Sequence, residues 1–191
     1  MALYKLTVEK YLEKLSGKIP APGGGSASAL VSAVGISLFT MCVRYSQKNF
    51  TVSEFKTLNR RLDKIKKELM ELIEEDKNAY LELDQAYKNN ADFRQLIKAK
   101  KKAGLVPARI CEHSLSVLKI AIAKKDKIKK IFKSDYTASL KFLLTGLESA
   151  KIFVSVNCKG IKSLQAKLKK IDKDIKKVRK EIRNACENNF W

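Results

Sequence analysis

The sequence predicts an all-α protein, a bundle of long helices around a central helix of small residues. Three observations predict it. Only three prolines and eight glycines interrupt 191 residues rich in Lys, Leu, Ile and Ala. Apolar residues recur at steps of three and four along most of the chain, the period of an α-helix. Residues 26–43 carry no charge at all, in a chain whose formal net charge is +20. The length suits a single domain spanning residues 1–191.

Residues 3–16 are predicted to form the first helix, with Leu3, Leu6, Val8, Tyr11, Leu12 and Leu15 available for burial and Gly17 as its stop. The opening ten residues alternate charge and hydrophobe, which suits an amphipathic helix and not a secretory leader. Pro20-Ala-Pro-Gly-Gly-Gly-Ser26 then leads into the uncharged stretch. A proline keeps the residue before it out of the helical region, and glycines adopt angles that side chains forbid. Ser26 is the predicted N-cap. Beyond it, Ala27, Ser28, Ala29, Ser32, Ala33, Gly35 and Ser37 mix with Leu30, Val31, Val34, Ile36, Leu38 and Phe39, so no face is polar and the helix belongs inside a bundle. Its eighteen residues would cover about 27 Å, near the thickness of a bilayer core. The serines dilute its hydrophobicity and no second span follows, so no membrane crossing is expected.

The amides of Gly23, Gly24 and Gly25 at a helix start also suit an anion or ligand cradle. No Lys-Ser/Thr pair follows them and no strand precedes them, which excludes a Walker loop and a dinucleotide fingerprint.

After a polar link at 47–52, with Ser53 as the expected cap, a long helix covers 56–88. Leu58, Leu62, Ile65, Leu69, Leu72, Asp76, Ala79 and Leu83 form its stripe, widened by Tyr80 and Tyr87. Asp76 is a carboxylate within an apolar stripe. Such a group must find hydrogen-bond partners or hold its proton more tightly. Both a satisfied core polar group and an acid–base residue fit that position.

Lys98–Gly104 reads as a basic link, and Val106-Pro107 as the start of the next helix, where a proline loses nothing. Ile110, Cys111, Ser114, Val117, Leu118 and Ala121 supply its buried face. His113, the only histidine, falls beside that stripe with no second ligand near, so no metal site is expected. A basic stretch at 124–133 precedes Ser134-Asp135, a pair suited to capping the helix that runs from Tyr136 to about Lys159. Its stripe of Leu143, Leu147, Ala150, Val154, Asn157 and Ile161 again holds one polar intruder. Asn157 and Asp76, on different helices, are therefore expected to meet. The last helix carries Ile161, Leu164, Leu168, Ile171, Ile175, Val178, Ile182 and Ala185 as a heptad seam. It is expected to pack against the 56–88 helix or its copy in a second subunit.

Cys42, Cys111, Cys158 and Cys186 lack CxxC spacing and read as thiols of a reducing cytoplasm. Forty basic residues against twenty acidic ones suit an acidic partner. Aromatic residues are not interleaved with the lysines as in a nucleic-acid-binding surface.

These residues together resemble the cyclodeaminase/cyclohydrolase family of folate enzymes. The resemblance rests on Pro20-Ala-Pro-Gly-Gly-Gly-Ser26 before an uncharged helix, Ile73-Glu-Glu-Asp76-Lys-Asn-Ala79-Tyr80, Val106-Pro107, Ser134-Asp135 and Val154-x-x-Asn157, in the family's order. It extends from about Val8 to the last helix. The chain departs from the family's pattern at Lys130-Ile-Phe-Lys133, where a glycine-asparagine turn is usual, and at Phe153, where asparagine is usual.

The resemblance implies an all-helical homodimer acting on a tetrahydrofolate derivative with no metal and no other cofactor. The implied reaction is cyclodeamination of the 5-formimino form or hydrolysis of the 5,10-methenyl form. Asp76 and Asp135 are then the candidate catalytic residues. Gly23, Gly24, Gly25, Ser26 and Asn157 are the candidate substrate-binding residues. The rival expectation is a non-catalytic basic dimer of the same fold that binds an acidic partner such as RNA.

Overall fold

Helix α2 (Gly24–Tyr45) is the axis of the computed structural model, which describes residues 1–187, with side chains to Asn184. Around it lie α1 (Val8–Ser16), α3 (Val52–Lys88), α4 (Phe93–Ala123), α5 (Lys133–Asn157) and α6 (Lys162–Glu187). Short 3-10 turns stand at Leu3–Lys5, Gln47–Asn49, Lys125–Lys127 and Lys130–Phe132. The described residues contain no strand. The expected all-α bundle with a small-residue helix at its centre is what forms.

Small side chains let α5 lie antiparallel and close against α2. Gly146 faces Ser32, and a Cβ on Gly146 would fall 2.1 Å from the Ser32 hydroxyl oxygen. Phe39 meets Tyr136 farther along, and the Cys42 thiol reaches the Phe132 carbonyl at the far end. The serines of α2 are kept content within the helix: the Ser28, Ser32 and Ser37 hydroxyls donate to carbonyls one turn back. Although α2 is long and apolar enough to cross a membrane, 61% of its most apolar window is buried in the bundle.

Several boundaries differ from the sequence expectation. The first helix is divided: Leu6 is extended and Thr7 caps α1 by accepting from the Lys10 amide. Leu3 and Tyr11 are buried, whereas Val8 and Leu12 stay exposed. Gly23 is the N-cap residue of α2, which places Ser26 inside the first turn. Thr51, not Ser53, starts α3, because Thr51 and Glu54 complete a reciprocal capping box. Tyr80 and Tyr87 remain exposed.

The largest difference is α4, which begins at Phe93 behind an Asp92 cap and runs unbroken through the expected basic link. Ala99, Ala103 and Val106 form a buried stripe beneath the lysines. Pro107 is thus interior to the helix, where it has no N–H for the Ala103 carbonyl one turn earlier. The Asn157 amide supplies the missing donor, reaching the Ala103 oxygen at 3.4 Å and the Phe153 oxygen at 2.9 Å.

Ser134 and Asp135 sit in the first turn of α5, behind Phe132 at the cap position. The seam of α6 is buried as expected through Ile182, and the Ala185 and Cys186 side chains lie outside the described residues. Its partners are α4 and α5 rather than α3. Ion pairs Lys119–Asp174, Lys167–Glu112, Lys151–Asp172 and Arg179–Glu148 fix that docking along its flanks.

Candidate active site

The start of α2, the middle of α3, α1 and the last turns of α5 converge at one end of the bundle. Asp76 stands on the buried stripe of α3 between Leu72 and Ala79 and is itself only partly buried. Its carboxylate lies flat against the first turn of α2. A Cβ on Gly25 would come within 2.2 Å of one carboxylate oxygen and 2.6 Å of the other. Glycine is required here for that close approach. The Ser26 backbone amide, in that same turn, favours the charged form of the carboxylate.

At this helix start the neighbouring anion belongs to the protein: Asp76 lies against Gly25, and the backbone group acting on it is that of Ser26, not of the three glycines. Burial pushes the Asp76 carboxyl up to about 6, with the Ser26 amide acting in the opposite direction. The carboxyl thus exchanges its proton near neutrality while keeping an edge toward solvent.

Two residues that the sequence did not assign to the site complete the surroundings. The Tyr11 hydroxyl is 2.9 Å from the Ser26 hydroxyl, and both residues are buried. Burial raises the phenol's proton affinity; the bond to Ser26 lowers it and the Asp76 charge raises it. Phe153, three turns after Leu143 on α5, lays its ring on Gly24, where a Cβ would sit 2.3 Å from the ring edge. Gly24 is exposed and Phe153 partly so, which makes this pair the mouth of the site. Tyr11 is spaced like any core aromatic of its helix, so its role was not legible; Phe153 stood out in the sequence only as a departure from the family's pattern. Gly23 is open, with no heavy atom within 4 Å of where its Cβ would lie.

The other expected site residues are placed differently. Asn157 lies one turn beyond Phe153, at the same end of the bundle, but its amide is engaged by the Ala103 and Phe153 carbonyls instead of meeting Asp76. Asp135 is at the opposite end. It faces the Cys42 thiol, whose pKa burial pushes up to about 11 with Asp135 adding to the rise. From Gly25 to Cys42 the α2 axis rises about 25 Å. One chain therefore does not bring Asp135 and Asp76 together.

Among the described residues no three of His, Cys, Asp or Glu gather as metal ligands. His113 is half-buried at the edge of α4, its Nδ1 3.6 Å from Glu68.

Two grooves flank the Asp76 turn. One, of about 580 Å³, is lined by Lys98, Lys101, Lys102 and Arg109 of α4 over an apolar floor of Leu105 and Val106, with Glu75 and Asn78 on the Asp76 side. Arg109 pairs with Glu75 and Lys102 with Glu82, leaving Lys98 and Lys101 without a carboxylate partner among the described residues. The other, of about 510 Å³, is apolar and runs between α1 and the open face of α2, past Tyr11, Leu30, Val34, Leu38, Met41 and Met70.

Comparison with known proteins identifies relatives of this sequence and this fold. The sequence profile of the family described as formiminotransferase-cyclodeaminase matches residues 7–177. A methenyltetrahydrofolate cyclohydrolase of Methylorubrum extorquens is 27% identical over 170 residues, covering 81% of this chain and 80% of that protein. A formimidoyltransferase-cyclodeaminase of Dictyostelium discoideum is 29% identical over 97% of this chain, which spans 36% of that longer protein. The crystal structure of a formiminotetrahydrofolate cyclodeaminase from Thermotoga maritima shares the fold, with a TM-score of 0.88, 98% coverage of both chains and 19% identity. With the family's profile matched over residues 7–177, most of its length, the chain belongs to the formiminotransferase-cyclodeaminase family.

Proposed function

We propose that the protein is a folate one-carbon enzyme, a formiminotetrahydrofolate cyclodeaminase or a methenyltetrahydrofolate cyclohydrolase. The observation that carries this reading is the Asp76 carboxylate, seated on the Gly25–Ser26 turn with its proton held near pH 6. Family membership supplies the substrate class, and the relatives' names supply the two candidate reactions.

Both reactions require the same service. In cyclodeamination the side-chain amine nitrogen that closes the new ring attacks the formimino carbon and loses its proton, and ammonia leaves after gaining one. In hydrolysis a water attacks the methenyl carbon and loses its proton, and the departing ring nitrogen gains one. A carboxyl near neutrality performs both transfers, since general acid–base groups work best close to the operating pH. As a carboxylate it also faces the cationic amidinium carbon common to the two paths. Phe153 and Gly24 supply a flat apolar wall at the mouth. Asn157, Gly23 and Asp135 are retained as substrate contacts only in a lesser sense: Gly23 as an open backbone edge, Asn157 through its carbonyl oxygen, and Asp135 in an assembly of two chains. The groove of Lys98 and Lys101 suits the anionic glutamate end of a folate.

A homodimer fits the uncharged open face of α2, and the scattered free thiols Cys42, Cys111 and Cys158 fit the cytoplasm. The test is a spectroscopic assay that follows methenyltetrahydrofolate appearing from the formimino substrate or disappearing by hydrolysis. Turnover abolished by Asp76→Asn supports the reading. Absence of turnover with both folates, together with steeply salt-dependent RNA binding, would give the function to the net charge instead.

A further inference from the structure

We propose that Tyr11 is a positioning residue of this site, its phenol holding the Ser26 hydroxyl so that the first turn of α2 seats the Asp76 carboxylate. The inference rests on the acid–base reading of Asp76 and extends it to α1, an element with no other claim on the chemistry.

Ser26 is held from two sides. Its backbone amide favours the charged Asp76 carboxylate, and its hydroxyl meets the Tyr11 hydroxyl at 2.9 Å. Tyr11 is 4% exposed and Ser26 fully buried, so water cannot replace either partner. Tyr11 is also the one buried residue of α1, with Val8 and Leu12 exposed on either side of it. A purely packing role would be served by phenylalanine. A phenol in that place needs a partner, and the partner lies on the turn where a Cβ on Gly25 would collide with both Asp76 oxygens.

The charges around Asp76 leave this array as its polar control. Glu74 is engaged by the Leu3 amide and Lys77, and Glu75 by Arg109 from α4. The α2 helix carries no charge before Arg44, and α5 presents the Phe153 ring. Tyr11 is the titratable group that α1 contributes.

The experiment compares Tyr11→Phe, Ser26→Ala, their double variant and Asp76→Asn. It reads kcat, KM and the pH profile, with the Asp76 carboxyl titrated by carbon-13 NMR in the wild type and in the single variants Tyr11→Phe and Ser26→Ala. Tyr11→Phe is expected to keep KM and lower kcat about tenfold, the worth of one hydrogen bond. Its acid limb and its Asp76 titration should move to higher pH, since a carboxylate deprived of a donor network binds its proton more tightly. The double variant should be no worse than the poorer single one, because both remove the same contact. Ser26→Ala carries the test if Tyr11→Phe fails to fold.

Wild-type kcat and an unmoved Asp76 titration in both single variants, with Asp76→Asn inactive, would overturn the role of Tyr11 and leave the acid–base reading standing. Full activity of Asp76→Asn would sink the acid–base reading instead, and the NMR titration would still decide whether Tyr11 positions that carboxyl.

Discussion

Asp76 is expected to cost the protein stability in return for reactivity. Its folded pKa of about 6 lies above the ordinary value of 3.8, so the folded state holds the proton more tightly than the unfolded chain. Its own contribution to stability is therefore most favourable below pH 4, falls as pH rises from 4 to 6, and stays reduced above that. Asp76→Asn should raise the melting temperature at pH 7, by up to about 3 kcal/mol of stability, and the gain should vanish below pH 4. The same variant should lose activity by about a hundredfold or more, as expected for a general acid–base group. Wild-type kcat/KM should fall below pH 6 where the carboxylate acts as base. Gly25→Ala should fail in both respects, since its methyl group would occupy the place of the carboxylate. Asp76 was legible as a charge inside an apolar period. Asp135 was not, because an acid in the first turn of a helix has the same local pattern whether it caps, pairs or catalyses. Tyr11 was hidden for the opposite reason: its spacing is that of a core residue, and only its depth and its partner on another helix reveal the hydroxyl's use.

The helices themselves read well from their periods, and their junctions less so. The run from Lys98 to Gly104 resembles a link because five of its residues, Lys98, Lys100, Lys101, Lys102 and Gly104, break the apolar pattern. The stripe that carries α4 through it consists of Ala99 and Ala103, whose small size conceals how fully they are buried. Pro107 then marks no boundary, because a side chain from α5 replaces the hydrogen bond the proline lacks. Asn157→Ala should cost about 1–3 kcal/mol in the wild-type background, the penalty for an unpaired buried carbonyl. In a Pro107→Ala background, where residue 107 regains its amide, denaturant melts should show a much smaller cost. A second coupling belongs to the mouth of the site. Gly24→Ala alone forces the Phe153 ring aside and should destabilise by about 1–3 kcal/mol, and adding Phe153→Ala should remove most of that effect.

At the level of the whole molecule, charge and apolar surface are segregated. The lysines cover the outer helices, while the open face of α2 shows Leu30, Val34, Leu38 and Met41 beside the exposed Val8 of α1. Val34 is 47% exposed on a helix that has no charge along it before Arg44. Contiguous apolar surface of this kind marks a contact with a partner. Val34→Lys should convert a dimer into a monomer in sedimentation equilibrium while leaving the helical circular dichroism unchanged. The central position of α2 was legible from its lack of charge, but the face it leaves open was not, because a helix apolar on all sides gives no sign of which side its own chain will cover. The glycine-rich beginning of α2 has one more consequence. Such turns elsewhere hold phosphate, whereas here a carboxylate from α3 already lies against the turn. Inorganic phosphate and nucleotides should therefore be indifferent ligands, and tight inhibitors should instead carry a planar positive centre, mimicking the one-carbon bridge and not the anions that glycine turns ordinarily attract.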